Sequence, residues 1–411
     1  MSLTSSRRPI VLLVLSALIF ALVFLTRTGV SQPSNPFANR ANTPNSNKTG
    51  AATQAVRKEA DLATSIISLQ ERLRQNPDAT GYAQLGNLLL LRMRETADAG
   101  LYAQAEQALG EALRRDPNQL DALIGQGSLA LSRHQFTEAL NWAEQARAIN
   151  PFRAQVFGII TDAQIELGRY DEAAKTLQKM VDLRPDIASY SRVSYLRELH
   201  GDMPGAIDAM RRAVEAGNPA AEGTWWAMVQ LGNLYLNDGD LANAQITYAQ
   251  TLNLAPEYPF ALAGMARVQT AQGKNGDAIA IYKRLVERLP LPEFAIALGD
   301  LYERNGNANA ARQQYDLVRA IQALNAANGS DVDLEMVLFE ADHGPHSPDL
   351  VARARAMYQR RPSIYAADAL AWALYRTGNT AEAKHYSQES LRLGTRDPLL
   401  LRRAASIDSG K

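Results

Sequence analysis

The feature that most constrains this chain is a spacing of about 34 residues at which the same residue types return. Prolines follow it at positions 117, 151 and 185, and again at 256 and 290. Alanines and glycines keep nearly the same spacing, at Ala105, Ala139, Ala173, Ala206, Ala244, Ala278 and Ala311 and at Gly168, Gly201, Gly239, Gly273 and Gly306. Between these markers apolar residues recur at i, i+3, i+4 and i+7, which is typical of amphipathic helices. The period therefore predicts a stack of two-helix units that bury their apolar faces against one another.

The best-preserved copy of the repeat contains Leu231-Gly232, Tyr235, Gly239, Ala244, Tyr248 and Pro256. A second copy contains Leu298-Gly299, Tyr302, Gly306, Ala311 and Tyr315. This pattern resembles the tetratricopeptide-repeat family, whose unit is a helix–turn–helix. Small residues such as Gly232 and Ala244 would let two helices approach closely, while Tyr248 fills the space beside them. We expect Gly239 to adopt a positive φ in the turn and Pro256 to end the second helix.

The resemblance implies an all-α, right-handed superhelical solenoid of about eight repeats over residues 79–396. An open solenoid end exposes apolar surface, so we predict an opening capping helix over residues 53–78 and a closing helix and tail over residues 397–411. Asp397-Pro398 is a typical helix start. Two departures stand out, namely an insertion near residues 94–100 and a Ser194-Tyr195 pair where other copies have Leu-Gly.

The first 52 residues differ from the rest of the chain, because they hold five basic residues and no acidic one. Arg7 and Arg8 precede an apolar run from Ile10 to Leu25 that reaches about 24 Å as a helix, somewhat short of the bilayer core. We predict a cytoplasmic N-terminus over residues 1–8, a signal-anchor transmembrane helix over residues 9–26, and a body outside the cytoplasm.

The segment that follows, residues 27–52, is rich in Ser, Asn, Pro and Thr and is predicted to be a flexible linker. Gly29-Val30-Ser31 offers small residues at a signal-peptidase spacing, so cleavage and release of an exported soluble form is the alternative to an anchor.

Composition excludes several kinds of chemistry. The absence of cysteine removes disulfides, thiolate zinc sites and cysteine nucleophiles. Equal numbers of basic and acidic residues, 43 each, argue against a nucleic-acid partner. His343 and His346 could form a metal pair, but Gly344-Pro345 breaks helical spacing and predicts an exposed turn. We therefore predict no catalytic residue, no metal and no cofactor.

The resemblance implies that the concave face, formed by the first helices of the repeats, is the ligand surface. Positions 2, 5, 9 and 12 of each first helix share one face. The predicted peptide-binding groove consists of Trp226, Asn233, Asn237, Phe260, Arg267, Glu293, Asp300 and Glu303. Trp226 and Phe260 could instead pack against the following repeat. Arg267 is the one base in this set, so the family's two-carboxylate clamp is not expected.

The function that the resemblance implies is a non-enzymatic, membrane-anchored scaffold or co-chaperone. Such a protein would hold a protein or peptide partner during assembly or secretion, in a bacterial envelope. The alternative is an accessory factor for an exported glycan or a cell-envelope enzyme, in which aromatic side chains bind carbohydrate or an enzyme subunit. The sequence leaves the oligomeric state open.

Overall fold

A computed structural model describes the backbone of residues 48–96 and 98–410, and side chains from Leu62 onward except at position 95. Within these residues the chain forms twenty α-helices and no strand. They are α1 (Lys48–Gln75), α2 (Ala79–Thr96), α3 (Gly100–Arg115), α4 (Leu120–Ser132), α5 (Phe136–Ile149), α6 (Ala154–Glu166), α7 (Tyr170–Leu183), α8 (Ile187–Leu199), α9 (Met203–Ala216), α10 (Glu222–Asn237), α11 (Leu241–Leu254), α12 (Pro259–Ala271), α13 (Asn275–Arg288), α14 (Pro292–Arg304), α15 (Ala308–Ala327), α16 (Asp333–His343), α17 (Pro348–Arg360), α18 (Ile364–Arg376), α19 (Thr380–Ser390) and α20 (Pro398–Ser409).

The helices pair in chain order, from α2 with α3 to α18 with α19. The described part of the chain thus holds nine helical pairs, where the sequence predicted about eight. The helix α1 packs on α2, and α20 packs on α18 and α19. The all-helical solenoid predicted from the repeat period is confirmed.

Close approach within a pair depends on small residues, as predicted. A Cβ at Gly232 would lie 2.5 Å from the ring of Tyr248, and one at Gly299 would lie 2.5 Å from the ring of Tyr315. Ser194 replaces the corresponding glycine in α8, and its hydroxyl donates a hydrogen bond to the carbonyl oxygen of Ala206 at 2.7 Å. The departure from the repeat pattern is therefore compensated by a hydrogen bond between the two paired helices.

The turn inside each pair requires a left-handed residue. Gly239 has a φ of +86°, and glycines hold the same position in most other pairs. In the turn between α4 and α5 that position belongs to His134, with a φ of +59°. Among the described residues it is the one non-glycine residue with positive φ. Such a conformation strains a side-chain-bearing residue, so contacts must hold it in place.

Those contacts come from the far end of the array, which turns back onto the N-terminal repeats. The N–H of Asp331 donates to the carbonyl oxygen of Arg133 at 2.7 Å. The N–H of Ile364 donates to the hydroxyl of Tyr170 at 2.9 Å, across 194 residues. Farther on, a Cβ at Gly201 would overlap the carbonyl oxygen of Gly394. The solenoid thus completes one superhelical turn and closes through these loop contacts and through a buried apolar cluster that joins Tyr170 and Trp226 with Ile364 and Leu400.

The predicted anchor, residues 9–26, and most of the predicted linker lie outside the described residues. The last residues of that linker, 48–52, belong to α1, where Ala51 and Ala52 favour helix. None of the helices in the described part of the chain has the length and apolar character needed to span a bilayer.

Candidate functional site

The candidate site is the inner surface of the superhelix, formed by the first helices α6, α8, α10, α12 and α14 together with residues that the closing turn brings opposite them. In the repeat alignment from Ala173 to Ala311, the ninth positions of these helices are Asp162, Tyr195, Asn233, Arg267 and Asp300. Hydrogen bonds to side chains of neighbouring helices fix the direction of Asp162, Asn233, Arg267 and Asp300.

Asn233 on α10 joins two neighbouring repeats. Its Oδ1 accepts hydrogen bonds from the hydroxyl of Tyr248 at 2.7 Å and from a guanidinium nitrogen of Arg267 at 2.9 Å. Burial raises the pKa of Tyr248 to about 12, so the phenol keeps the proton that it donates. Arg267 is half-buried, and its Nε has no hydrogen-bond partner in the described part of the chain. Asn233 thereby links Tyr248 of α11 to Arg267 of α12.

Asn237, one helical turn along α10, donates to the carboxylate of Glu198 on α8 at 3.2 Å. Burial raises the pKa of Glu198 to about 7, and the Asp397 carboxylate adds to the rise, while Asn237 and Arg267 oppose it. Glu198 is only half-buried, although its carboxylate is desolvated enough to titrate near neutrality.

Asp300 and Glu303 on α14 share the hydroxyl of Tyr315, which lies 3.0 Å from an oxygen of each carboxylate. His343 approaches Asp300 with its Nε2 at 3.3 Å, and its ring stacks on Tyr315 at 4.1 Å. Burial raises the pKa of Asp300 to about 7 and lowers the pKa of His343. This network ties α14, α15 and α16 together.

The exposed turn predicted for His343 is wrong. His343 is the last residue of α16, and its side chain is only 10% exposed. The break at Gly344-Pro345 comes after this residue and leaves it inside the helix packing. Among the described residues, no group of three or more histidines and carboxylates is placed to hold a metal ion.

The predicted aromatic residues are placed differently from each other. Trp226 is 7% exposed and belongs to a buried cluster with Tyr195 and Leu400. Phe260 is half-buried, and its ring contacts the ring of Phe294 at 6.0 Å. Trp226 thus packs among helices, whereas Phe260 packs against two neighbouring clusters and keeps part of its ring exposed.

Glu293 lies at the start of α14, half-buried. Burial raises the pKa of its carboxyl, and the carboxylate of Glu335 on α16 adds to this rise. The inner surface therefore carries more desolvated carboxylates than the predicted groove contained.

The insertion predicted near residues 94–100 lengthens α2, which ends at Thr96. Burial raises the pKa of the Tyr258 phenol, and the carboxylate of Glu222 adds to this rise. The positive charge of Arg94 acts in the opposite direction and lowers that pKa. The extended end of α2 therefore lies near the start of α12, on the same side as Phe260.

Sequence reasoning missed the contribution of Glu198 and Asp397. Glu198 lies at the twelfth position of α8, so an alignment from Ala206 could have found it even without a Leu-Gly pair. Asp397 was interpreted only as a helix cap, and it does accept from the N–H of Leu399 at 2.8 Å. Its position opposite Glu198 follows from the closure of the superhelix, which no local pattern encodes.

Comparison with known proteins agrees with the repeat fold. The tetratricopeptide-repeat family model matches residues 90–154, 162–221, 229–290 and 263–326, which together make up more than half of the chain. The chain belongs to the tetratricopeptide-repeat family.

Two relatives of this tetratricopeptide-repeat protein match over part of their lengths. Cellulose synthase operon protein C of Pseudomonas fluorescens (strain SBW25) is 25% identical over 203 residues, which cover 46% of this chain and 15% of that protein. The heat-shock protein cognate co-chaperone sgt12 of Aspergillus fumigatus is 26% identical over 160 residues, which cover 38% of this chain and 42% of that protein. The matched segments thus span less than half of either relative.

A solved structure extends the likeness over most of the repeats. The human IFIT1 dimer with PPP-AAAA superposes with a TM-score of 0.51 at 15% identity, covering 81% of this chain and 78% of that chain. At this level of identity the likeness concerns the fold alone.

Proposed function

We propose that this protein is a non-enzymatic scaffold or co-chaperone that binds an extended segment of a partner protein on the inner surface of its superhelix. The observation that carries the proposal is the polar row Asn237, Asn233 and Arg267, which crosses α10 and α12 on a half-buried surface. Amide and guanidinium groups can hold the backbone of an extended peptide, while a half-exposed ring such as Phe260 contacts its side chains. Of the predicted groove, Asn233, Asn237, Phe260, Arg267, Glu293 and Glu303 remain candidate contacts.

The role of Asp300 and Trp226 in this proposal is indirect. Asp300 accepts a hydrogen bond from Tyr315, and Trp226 lies in a buried cluster. We expect both to position the helices that carry the binding residues. The relatives support a protein-binding role, since one of them is a co-chaperone.

The experiment is capture of partners from detergent-solubilised membranes with the full-length chain as bait. Arg267→Ala should lose the captured partner, because it removes the positive charge of the polar row. Arg212→Ala is the matched control, since Arg212 is exposed on α9 and pairs with Asp208 in the same helix. Equal capture by both variants would place the partner elsewhere on the molecule.

We also propose that residues 9–26 anchor the chain in a bacterial membrane with the repeats outside the cytoplasm. The support is the apolar run Ile10–Leu25 behind Arg7 and Arg8, together with the match to a bacterial cellulose synthase operon protein. Membranes washed in alkaline carbonate should retain the full-length chain, and protease added outside should digest its repeats. A soluble species that begins near Gln32 would instead show cleavage of the leader.

A second candidate function is an accessory role for an exported glycan or a cell-envelope enzyme. The observation in its favour is the partial match to cellulose synthase operon protein C, over 203 residues. Thermal-shift measurements with soluble β-glucan oligosaccharides and with unstructured peptides distinguish the two functions. A shift with the oligosaccharides alone would favour the glycan role.

A further inference from the structure

The helix α11, the second helix of its pair, has no charged residue. No lysine, arginine, aspartate or glutamate lies between Leu241 and Leu254. Every other second helix of a pair in the described part of the chain carries at least three such residues. The outer side of a helix in a soluble protein is normally rich in charged groups. The exposed side of α11 therefore differs from that of every other second helix described.

The exposed residues of α11 form a stripe. We call this stripe the neutral face, and it consists of Ala242, Gln245, Ile246, Ala249, Gln250 and Asn253. All six residues are exposed, and the exposed fraction of Ile246 is 53%. Starting at Ala242, four of them recur at intervals of four, three and four residues, which places these four on one side of the helix. A single exposed isoleucine is ordinary, but here it lies between small and amide side chains with no charge nearby on the helix.

The absence of charge restricts what can cover the neutral face. Burying a charged group without its partner costs free energy, and the cores of protein interfaces are accordingly depleted of charged residues. Among the second helices that the structure describes, α11 alone offers an outer surface of this kind. The flanking helices expose charged residues, Arg212 on α9 and Lys283 on α13, which limit the face on both sides. A second copy of the chain supplies a surface that matches the neutral face.

We propose that the neutral face is a self-association surface, through which two copies of the chain form a dimer with two-fold symmetry. In such a dimer a surface meets itself, so any charge near the axis would face a like charge, and α11 has none. The stripe fits an antiparallel pair of helices in which Ile246 of each copy packs beside Ala249 of the other. The small alanine leaves room for the isoleucine, and the flanking amides of Gln245 and Gln250 can both donate and accept hydrogen bonds.

The size of the neutral face predicts a weak dimer. An interface of one helix per copy lies at the low end of protein interfaces, below about 1,200 Å² of total buried area, where association is reversible. The inference concerns the outer surface and does not rest on peptide binding at the inner surface. A dimer of this kind would present two inner surfaces at once, which strengthens binding to a partner that carries two binding segments.

The first test is cross-linking of the full-length chain in detergent. The protein has no cysteine, so Ala249→Cys introduces a single thiol beside the proposed two-fold axis. A short bis-maleimide reagent should convert this variant into a covalent dimer. Gln178→Cys is the matched control, because Gln178 is exposed at the same repeat position on the charged helix α7, and it should remain monomeric. Equal cross-linking of the two variants overturns the proposal.

The second test places charges at the axis. Ile246→Glu and Ile246→Lys each set two like charges against each other, so each variant alone should raise the dissociation constant of the dimer at least about tenfold. Light scattering after size-exclusion chromatography, over a range of concentrations, measures this constant. An equimolar mixture of the two variants should dimerise again, because glutamate then meets lysine. Since Ile246 is exposed, circular dichroism should show both variants to be as helical as the parent.

Three results overturn self-association through this face. The parent protein could remain monomeric at every concentration, or Ile246→Glu could dimerise as well as the parent does. The mixture of the two charged variants could also fail to restore the dimer. A monomeric parent from which Ile246→Glu loses a captured protein would assign the neutral face to that protein instead of a second copy.

Discussion

The Nδ1 of His134 lies 2.9 Å from the carbonyl oxygen of Asp331, 197 residues farther along the chain. This hydrogen bond joins the turn of an early repeat to the loop that begins a late one. It also explains why a histidine occupies a left-handed turn position that glycine holds elsewhere in the array. The side chain contributes a contact between superhelical turns that glycine could not make.

Two substitutions separate the backbone and side-chain roles of His134. His134→Ala should lower stability, since it removes the hydrogen bond and keeps a strained backbone. His134→Gly removes the same bond but relieves strain of about 1–2 kcal/mol, so its denaturant midpoint should lie above that of His134→Ala. Urea unfolding followed by circular dichroism measures both. Equal midpoints would contradict a left-handed residue at this position.

The repeat units could be predicted from the sequence because their causes are local. The period of 34 residues, the close approach at Gly232 and the turn at Gly239 each depend on residues near one another in the chain. Helix starts such as Asp397-Pro398 are equally local, and α20 begins where that pair indicates. In this fold, short-range patterning determines the pairs of helices.

The inner surface could be predicted only in part. Asn233 and Arg267 hold the same repeat position on α10 and α12, and the hydrogen bond between them joins these successive first helices. The burial of Trp226 and the place of Asp397 depend on closure of the superhelix, which is the sum of small rotations between repeats. No single residue determines that sum, so the sequence did not reveal which residues meet across the turn.

Close packing in α14 predicts the effect of adding a single methyl group. A Cβ at Gly299 would lie 2.5 Å from the Tyr315 ring, whereas one at Gly110 on α3 meets nothing within 4 Å. Gly299→Ala should therefore destabilise the chain by about 1–3 kcal/mol through overpacking. Gly110→Ala should stabilise it by about 0.5–1 kcal/mol, because alanine favours a helix interior. The thermal unfolding midpoint of Gly299→Ala should lie below that of the parent protein, and the midpoint of Gly110→Ala should lie above it. Two shifts of the same sign would contradict the close packing described at Gly299.

The ion pair between Arg192 and Asp162 is buried between α6 and α8. Two guanidinium nitrogens of Arg192 lie 2.8 and 2.6 Å from the carboxylate oxygens of Asp162. Arg192→Met should cost about 3–5 kcal/mol, because it leaves a buried carboxylate without its partner. The loss should shrink in acid, since burial raises the pKa of Asp162 and protonation neutralises the group. Arg212→Met removes one partner of an exposed ion pair. It should change the free energy of unfolding by less than about 1 kcal/mol at any pH.

Substitutions of Trp226 and Arg267 should distinguish a residue that stabilises the fold from a residue that binds the partner. Trp226→Ala removes a ring from a buried cluster, so it should lower stability by about 3–5 kcal/mol and reduce partner capture only through unfolding. Arg267→Ala removes a half-buried guanidinium and should change the free energy of unfolding by about 1 kcal/mol or less. Its loss of partner capture should therefore persist well below the temperature at which the chain unfolds. Capture that fails for Trp226→Ala while its midpoint stays unchanged would mean that the tryptophan ring itself contacts the partner.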